Sequence, residues 1–186
     1  MRVTIKHLTE ENLRAAPEWE GPPGSCKYCL YWERPEFRAR SAEGKEEAFH
    51  HKRAWIHRVR EAFGDCGKLL YIDDRPVGYA QYAPARYLPT AADYPAGPVS
   101  DDAVLIACLF IPAPDHRGRG LGGLLLRAIL DELRGREVTA VEVFARKGSS
   151  ENPAGPLEFY LGHGFHVLRD DPEFPLLQLK LGANRR

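Results

Sequence analysis

Residues 115–126 read DHRGRGLGGLLL. Four glycines, at 118, 120, 122 and 123, crowd into six positions with Arg117 and Arg119 among them, and three leucines follow at once. Glycine is the poorest ordinary residue in a helix interior and leucine one of the best, so the change of composition sets a turn against a helix start. The first N–H groups of a helix have no partner within it, and its N-terminus carries positive dipole. Missing side chains let an anion approach that backbone, and arginines at the rim add charge.

The flanks place this turn in a fold. Before it, AVLIACLFIP (103–112) is a nearly unbroken apolar run rich in β-formers, as expected of a strand buried on both faces. After it, Leu121, Leu124, Leu125, Ala128, Ile129 and Leu133 recur at helical spacing over 120–134, with Gly135 as the stop. Further out, RVTIKHL (2–8) reads as a short strand. Ala48, Phe49, Lys52, Trp55, Ile56, Val59 and Phe63 mark a helix over 45–63 that ends at Gly64. KLLYIDD (68–74) and RPVGYAQYAP (75–84) form a hairpin around Asp73 and Asp74. TAVEVFA (139–145) alternates as a strand, 156–161 suits a short helix, and 165–171 and 175–181 suit two last strands. Residues 10–40 read as a helix start and then a packed aromatic loop region, and 86–100, with Pro89, Pro95 and Pro98, as a long loop. The order β, α, β, β, β, α, β, α, β, β implies one α/β sheet of mixed direction.

Three anion-binding patterns compete for the glycines. A P-loop is excluded because no Gly-Lys-Ser/Thr closes the turn. Gly118, Gly120 and Gly123 match the dinucleotide fingerprint, and Glu142 lies near the spacing of a ribose contact. Against it, residues 112–117 separate strand from glycine, Glu142 falls inside a strand, and too little chain follows for a doubly wound sheet. The third pattern is Arg-x-x-Gly-x-Gly, here Arg117, Gly118, Arg119, Gly120, Leu121 and Gly122, opening an amphipathic helix after a buried strand. With LEFYLGHGF (157–165), which carries Tyr160, Gly164 and Phe165 in a Tyr-x-x-x-Gly-Phe arrangement, the chain resembles the GCN5-related N-acetyltransferase (GNAT) superfamily. The likeness covers 68–181 and the first strand, and the N-terminal third least.

The resemblance implies a single GNAT-like domain over 1–186, with a mixed, mostly antiparallel sheet flanked by helices and 10–66 as the variable acceptor side. It implies acetyl-CoA as co-substrate and direct attack of an amine on the thioester. Arg117, Gly118, Arg119, Gly120, Leu121, Gly122 and Gly123 would grip the pyrophosphate, and the backbone of Leu109, Phe110 and Ile111 would hold the pantetheine arm. Asn152 is similar to a family asparagine that touches that arm, although it lies one residue further from the tyrosine than usual. Tyr160 stands at the general-acid position. Many relatives use a glutamate on the strand before the turn as base, and AVLIACLFI has none. Glu142 and Glu33 are the candidates, and an amine already neutral needs neither. That gap keeps open a non-catalytic acyl-CoA-binding or sensing module as the alternative.

The remaining features restrict partners. Lys plus Arg and Asp plus Glu are 26 each in 186 residues, which gives no charge excess for nucleic acid. HHKR (50–53) reads as a solvated helix face. The longest apolar stretch is short of the roughly 20 residues that span a bilayer, and the first residues have no apolar signal core, so a cytoplasmic monomer or homodimer is expected. Cys26-x-x-Cys29, with Cys66 or His50, His51 and His57, could hold a metal or act in redox chemistry, but one such pair is a weak signal, and no metal is expected. Tyr28, Tyr31, Trp32, Phe37 and Trp55 read as core packing or as an aromatic wall for an apolar or planar amine. Small metabolites and peptides both remain open as acceptors.

Overall fold

The computed structural model describes residues 2–20, 24–37 and 44–182. Seven strands form one sheet: β1 (Val3–His7), β2 (Gly67–Ile72), β3 (Arg75–Pro84), β4 (Ala103–Phe110), β5 (Ala140–Phe144), β6 (His166–Arg169) and β7 (Leu176–Lys180). Their order is β1-β2-β3-β4-β5-β7-β6. All neighbours run antiparallel except β4 and β5. Among the described residues three α-helices accompany the sheet: α1 (Lys45–Ala62), α2 (Leu121–Gly135) and the short α3 (Leu157–Leu161). Asp73 and Asp74, both at positive φ, make the tight turn between β2 and β3.

The two core layers divide at the sheet. One gathers Phe49, Trp55, Ile56 and Val59 of α1 with Trp32 and the Leu88–Val99 side of the chain. The other gathers Leu121, Leu125, Leu126, Ile129, Leu130 and Leu133 of α2 with Tyr160 and Phe165. Every residue of β4 is buried, as its apolar run requires. Leu124 departs from expectation: it is exposed, while Leu126 and Leu130 take the inward positions. The α2 stop is also different, since the left-handed residue after the helix is Glu137 and not Gly135.

β4 carries two irregularities, one on each side of the site. A bulge opposite Gln81 and Tyr82 skips Ala107, so that Ala107 and Cys108 both face the α1 layer, whereas strict alternation would separate them. Further along, β4 and β5 pair only from Ala103 to Leu105 against Ala140 to Glu142. Beyond that point the strands part, and the Leu109 N–H reaches the Pro153 carbonyl instead, at 2.8 Å.

The 10–40 segment holds no α-helix among its described residues. Three 3₁₀ turns, Leu13–Ala15, Cys26–Tyr28 and Pro35–Phe37, replace the expected helix start, and residues 21–23 and 38–43 lie outside the described set. Residues 85–93 likewise fold into two 3₁₀ turns, with Leu88, Thr90 and Ala91 buried, rather than into an open loop. Among the described residues no helix is long and apolar enough to cross a membrane.

Candidate active site

Where β4 and β5 part, a cleft of about 500 Å³ opens against the start of α2. Gly118 (φ 70°) and Gly120 (φ 77°) both adopt the left-handed conformation that side-chain-bearing residues avoid. Gly120 caps α2 with no side-chain hydrogen bond, so the first N–H groups of the helix face the cleft unscreened. Leu109, Phe110, Ile111, Arg117, Gly118, Gly120, Leu121, Gly122, Gly123 and Asn152 all line it, which gathers nearly every residue expected at the cofactor. Arg119 does not line it, and Arg127 does, one helical face along from Gly120 and Gly123.

Several of these groups already hold protein partners. Arg117 donates from Nε to the Ile111 carbonyl at 2.8 Å and from Nη2 to the Pro112 carbonyl at 3.0 Å, and it pairs with Glu151. It therefore clamps the end of β4 to the turn more than it offers a charged rim. The Leu109 N–H and the Ile111 carbonyl, two of the backbone groups expected on the pantetheine arm, are bonded to Pro153 and Arg117. Asn152 accepts the Ala154 N–H on Oδ1 at 2.8 Å, forming its own small turn.

The far wall comes from α3 and the residue pair after it, at positions that no sequence motif singled out. A methyl placed on Gly122 would lie 3.4 Å from the Phe159 ring, and one on Gly123 would lie 3.0 Å from His163 Nε2. His163 is anchored by its Nδ1 to the Phe159 carbonyl at 2.7 Å. Phe159 and His163 are four residues apart, so helical spacing from Tyr160's own segment could have found them. His116 also lines the cleft, and among the described residues its Nδ1 is buried without a partner.

The expected catalytic pair is placed less directly. Tyr160 is fully buried, and its hydroxyl donates to the Ala154 carbonyl at 2.8 Å. Burial holds its pKa well above an ordinary phenol. It lies one layer under the cleft, since a methyl on the lining residue Gly155 would stand 3.2 Å from that hydroxyl. Glu142 belongs elsewhere: its carboxylate is wholly buried and accepts the Ser100 N–H (3.0 Å), the Ser100 hydroxyl (2.6 Å) and Gln178 Nε2 (2.8 Å). It sits in the paired part of β5, before the strands part, and borders neither this cleft nor the cavity beside it.

That second cavity, about 280 Å³, meets the cleft at Asn152, which lines both. Its walls include Cys26, Cys29, Cys108, Trp32, Tyr94 and Phe174. The four cysteines are free thiols. Burial pushes Cys29 up to about 11 and Cys66 up to about 12, and a hydrogen bond with Cys26 together with burial holds Cys108 well above its usual value. Thiols kept protonated are poor metal ligands and poor nucleophiles. Among the described residues, the three ligand groups gathered closely enough for a metal are His7, Asp65 and Glu132, not Cys26 or Cys29, and Lys68 already bonds Glu132 there.

Behind the thiols lies a buried charge pair. Lys52 is 2% exposed and bonds Glu33 and, at 3.0 Å, Gln81 Oε1. Gln81 donates to Glu33 at 2.6 Å, and the Tyr79 hydroxyl donates to Gln81 at 2.8 Å. Burial, the largest single influence, works to lower the lysine's pKa, but the Glu33 carboxylate together with the neighbouring Cys29 and Cys108 raises it on balance. Lys52 thus corrects the solvated reading of HHKR; the apolar period of α1 was the better guide. Glu33, the other candidate base, keeps its second oxygen buried without a partner among the described residues.

A parallel strand pair that splays beside a glycine-capped helix defines an acyl-CoA-dependent acyltransferase scaffold. The chain belongs to the acetyltransferase (GNAT) family, whose profile matches residues 27–165 and so reaches well into the N-terminal third. In fold it is similar to a PaiA N-acetyltransferase from Thermoplasma acidophilum, solved with coenzyme A, at TM-score 0.59 and 13% identity, with 97% of this chain and 99% of that one covered. It is also similar to YncA, a putative acetyltransferase from Salmonella typhimurium solved with acetyl-CoA, at TM-score 0.60 and 14% identity, covering 99% and 96%. A ribosomal-protein-alanine N-acetyltransferase from Brucella melitensis matches at TM-score 0.58 and 18% identity over 96% and 99%. No curated protein sequence matches the chain significantly.

Proposed function

We propose that the protein transfers the acetyl group of acetyl-CoA to an amine, with the pyrophosphate on the turn from Arg117 to Gly123 and the pantetheine arm in the gap between β4 and β5. The observation that carries this is the junction at Asn152, a residue shared by the walls of a cleft with a bare helix N-terminus and of a second cavity. Such a junction lets a thioester and an amine approach from opposite sides, which is the positioning that acyl transfer requires.

The amine nitrogen attacks the carbonyl carbon, the C–S bond breaks, and nitrogen loses one proton as sulfur gains one. The Leu109 N–H is the donor closest in kind to an oxyanion partner. Its present bond to Pro153 marks where an oxygen is accepted, so thioester loading exchanges the Pro153 carbonyl for the acyl oxygen. Tyr160 is assigned the proton for the departing sulfur, which requires the hydroxyl to leave the Ala154 carbonyl, and the proton that the nitrogen gives up restores the phenol. No dedicated base is assigned: Glu142 is bonded to Ser100 and Gln178, so the amine reacts in its neutral form.

The test is a titration with acetyl-CoA, followed by thiol release across an amine panel. Saturable binding with amine-dependent release is expected. Saturable binding with no release from any amine would favour the sensing module instead, a reading kept alive by the carboxylate-free β4.

A further inference from the structure

We propose that the cavity beside the cleft is the acceptor site and that it takes a small primary monoamine carrying one aromatic ring. This rests on the transferase reading above and adds the class of acceptor.

The way the cavity is built points to a planar guest. Trp32 comes from the N-terminal segment, Tyr94 from the end of the 3₁₀ turn Pro89–Asp93, and Phe174 from the approach to β7. Three distant segments therefore converge on one wall. Trp32 and Tyr94 stack at 5.3 Å with planes 11° apart, Tyr94 stacks in turn on Phe144 at 4.3 Å, and Phe174 meets Tyr94 edge-on at 5.4 Å. Trp32 is 5% exposed, and the Tyr31 and Tyr94 hydroxyls lie 3.0 Å apart. Rings locked against one another in this way form a stiff apolar wall, against which a flat apolar guest packs with little rearrangement.

Charge narrows the guest further. Among the described residues, no carboxylate, ammonium, guanidinium or imidazole lines the cavity. Buried charges around the cavity are paired elsewhere: Lys52 and Glu33, which reach Cys29 electrostatically, with each other, and Lys27, next to Cys26 in sequence, with Glu18. A polycation would bring charges with no carboxylate to meet them, and an amino acid would bring a carboxylate with no cation. A protonated thiol wall accepts an apolar ring without such a cost.

Size and direction set the remaining limits. At about 280 Å³ the cavity falls just below the ~300 Å³ at which small-molecule sites usually begin. That leaves room for about one ring and a short amine arm. The arm would reach toward the thioester past Asn152, which lines both spaces.

The experiment uses the full chain with three kinds of amine: phenethylamine and tyramine, spermidine, and a lysine-containing peptide. Thiol release from acetyl-CoA gives kcat/KM, and calorimetric titration of each amine into protein saturated with CoA gives affinity apart from turnover. Phenethylamine and tyramine should exceed spermidine and the peptide by at least about tenfold in both. Tyr94→Leu should raise KM for phenethylamine about tenfold, while Tyr94→Phe restores it, and CoA affinity should stay unchanged in both as a check of folding. Release confined to spermidine or the peptide, or an unchanged KM in Tyr94→Leu, overturns the acceptor assignment and leaves the transferase intact. Aromatic-amine binding without thiol release overturns the transferase and leaves the site. Absence of aromatic-amine binding overturns the site whatever the turnover.

Discussion

The cofactor cleft and the cavity beside it meet at one asparagine, yet they are built in opposite ways. The anion-facing side of the cleft is local: its turn, cap and helix start lie within residues 109–127, and its special backbone angles fall on glycines that the chain cannot easily replace, while the far wall is added by residues 150–163. The cavity is assembled from residues near 30, 94, 108, 153 and 174, each held by different neighbours. A local site keeps its chemistry when the rest of the domain changes, because the helix N-terminus and the glycines supply binding through backbone atoms. A dispersed site depends on packing at every contributing segment. On the proposed function, binding of the shared co-substrate would sit in the first and choice of acceptor in the second.

The largest effect should come from breaking what stands behind the cavity. Lys52→Ala leaves Glu33 as an uncompensated buried carboxylate, and removing one partner of such a pair costs about 3–5 kcal/mol. Urea unfolding should show that loss. Lys52→Met paired with Glu33→Leu should recover much of it, because an apolar pair of similar volume avoids the desolvated charges. If Lys52→Ala costs no more than a surface change, the pair is not what supports the thiol wall.

On the cleft side, Gly122→Asp should weaken CoA binding by about 100-fold, or about 2.7 kcal/mol. The new side chain starts 3.4 Å from the Phe159 ring and sets a carboxylate where phosphate is expected. Aromatic-amine affinity in the adjoining cavity should hardly change, which is the asymmetry between a local and a dispersed site. Isothermal titration with each ligand reads both values. Equal loss at both sites would mean that cleft and cavity are one cooperative unit.

Tyr160→Phe tests the boundary between them. A proton donor contributes about 10²–10⁴-fold, so kcat should fall by at least about tenfold with CoA affinity preserved. If Tyr160 only anchors the Ala154 carbonyl, CoA affinity should fall together with kcat, because the 152–156 loop lines the cleft. Stopped-flow turnover beside equilibrium binding separates the two.

A smaller effect belongs to the buried thiols. Cys66 is fully buried and its thiol titrates at about 12, against 9.0 for the unshifted group. The folded state holds this proton more tightly than the unfolded chain does. Its contribution is therefore complete below pH 9 and is lost as pH rises toward 12. At about pH 10.5 the loss is on the order of 2 kcal/mol. Urea unfolding at pH 8 and about 10.5 should show a steeper decline for the native protein than for Cys66→Ala.

The same contrast explains how far the sequence could be read. The strand, turn and helix around DHRGRGLGG were legible because period and glycine placement are local signals, and all seven strands fall where apolar alternation or runs placed them. The buried side of Lys52 was visible in the period of α1 but was masked by its neighbours His50, His51 and Arg53. The splay of β4 from β5, the bulge that turns Cys108 inward and the Trp32–Tyr94 stack left no local trace. Each depends on a strand pairing or a contact between segments tens of residues apart. Arg117 was read as a phosphate ligand from its charge, whereas two of its donors are directed by backbone carbonyls that only the folded end of β4 supplies.

Glu142 should give the smallest effect on rate. A strand glutamate in a family that uses carboxylate bases invites a catalytic reading, but this one has three donors from Ser100 and Gln178 on its two oxygens. A base must have a lone pair directed at the proton it removes and a path to it. Here the carboxylate lies within the paired part of β5, and its bonds tie residue 100, before β4, to β7 across the sheet. Glu142→Gln keeps the shape, while its amide nitrogen places a donor against at least one donor now bonded. Stability should fall by about 1–3 kcal/mol, and kcat/KM of the remaining folded protein should stay within about twofold, with an unchanged pH profile. A loss of tenfold or more in kcat that follows a carboxylate titration would move the base to β5 and place proton removal on the strand that the splay leaves behind.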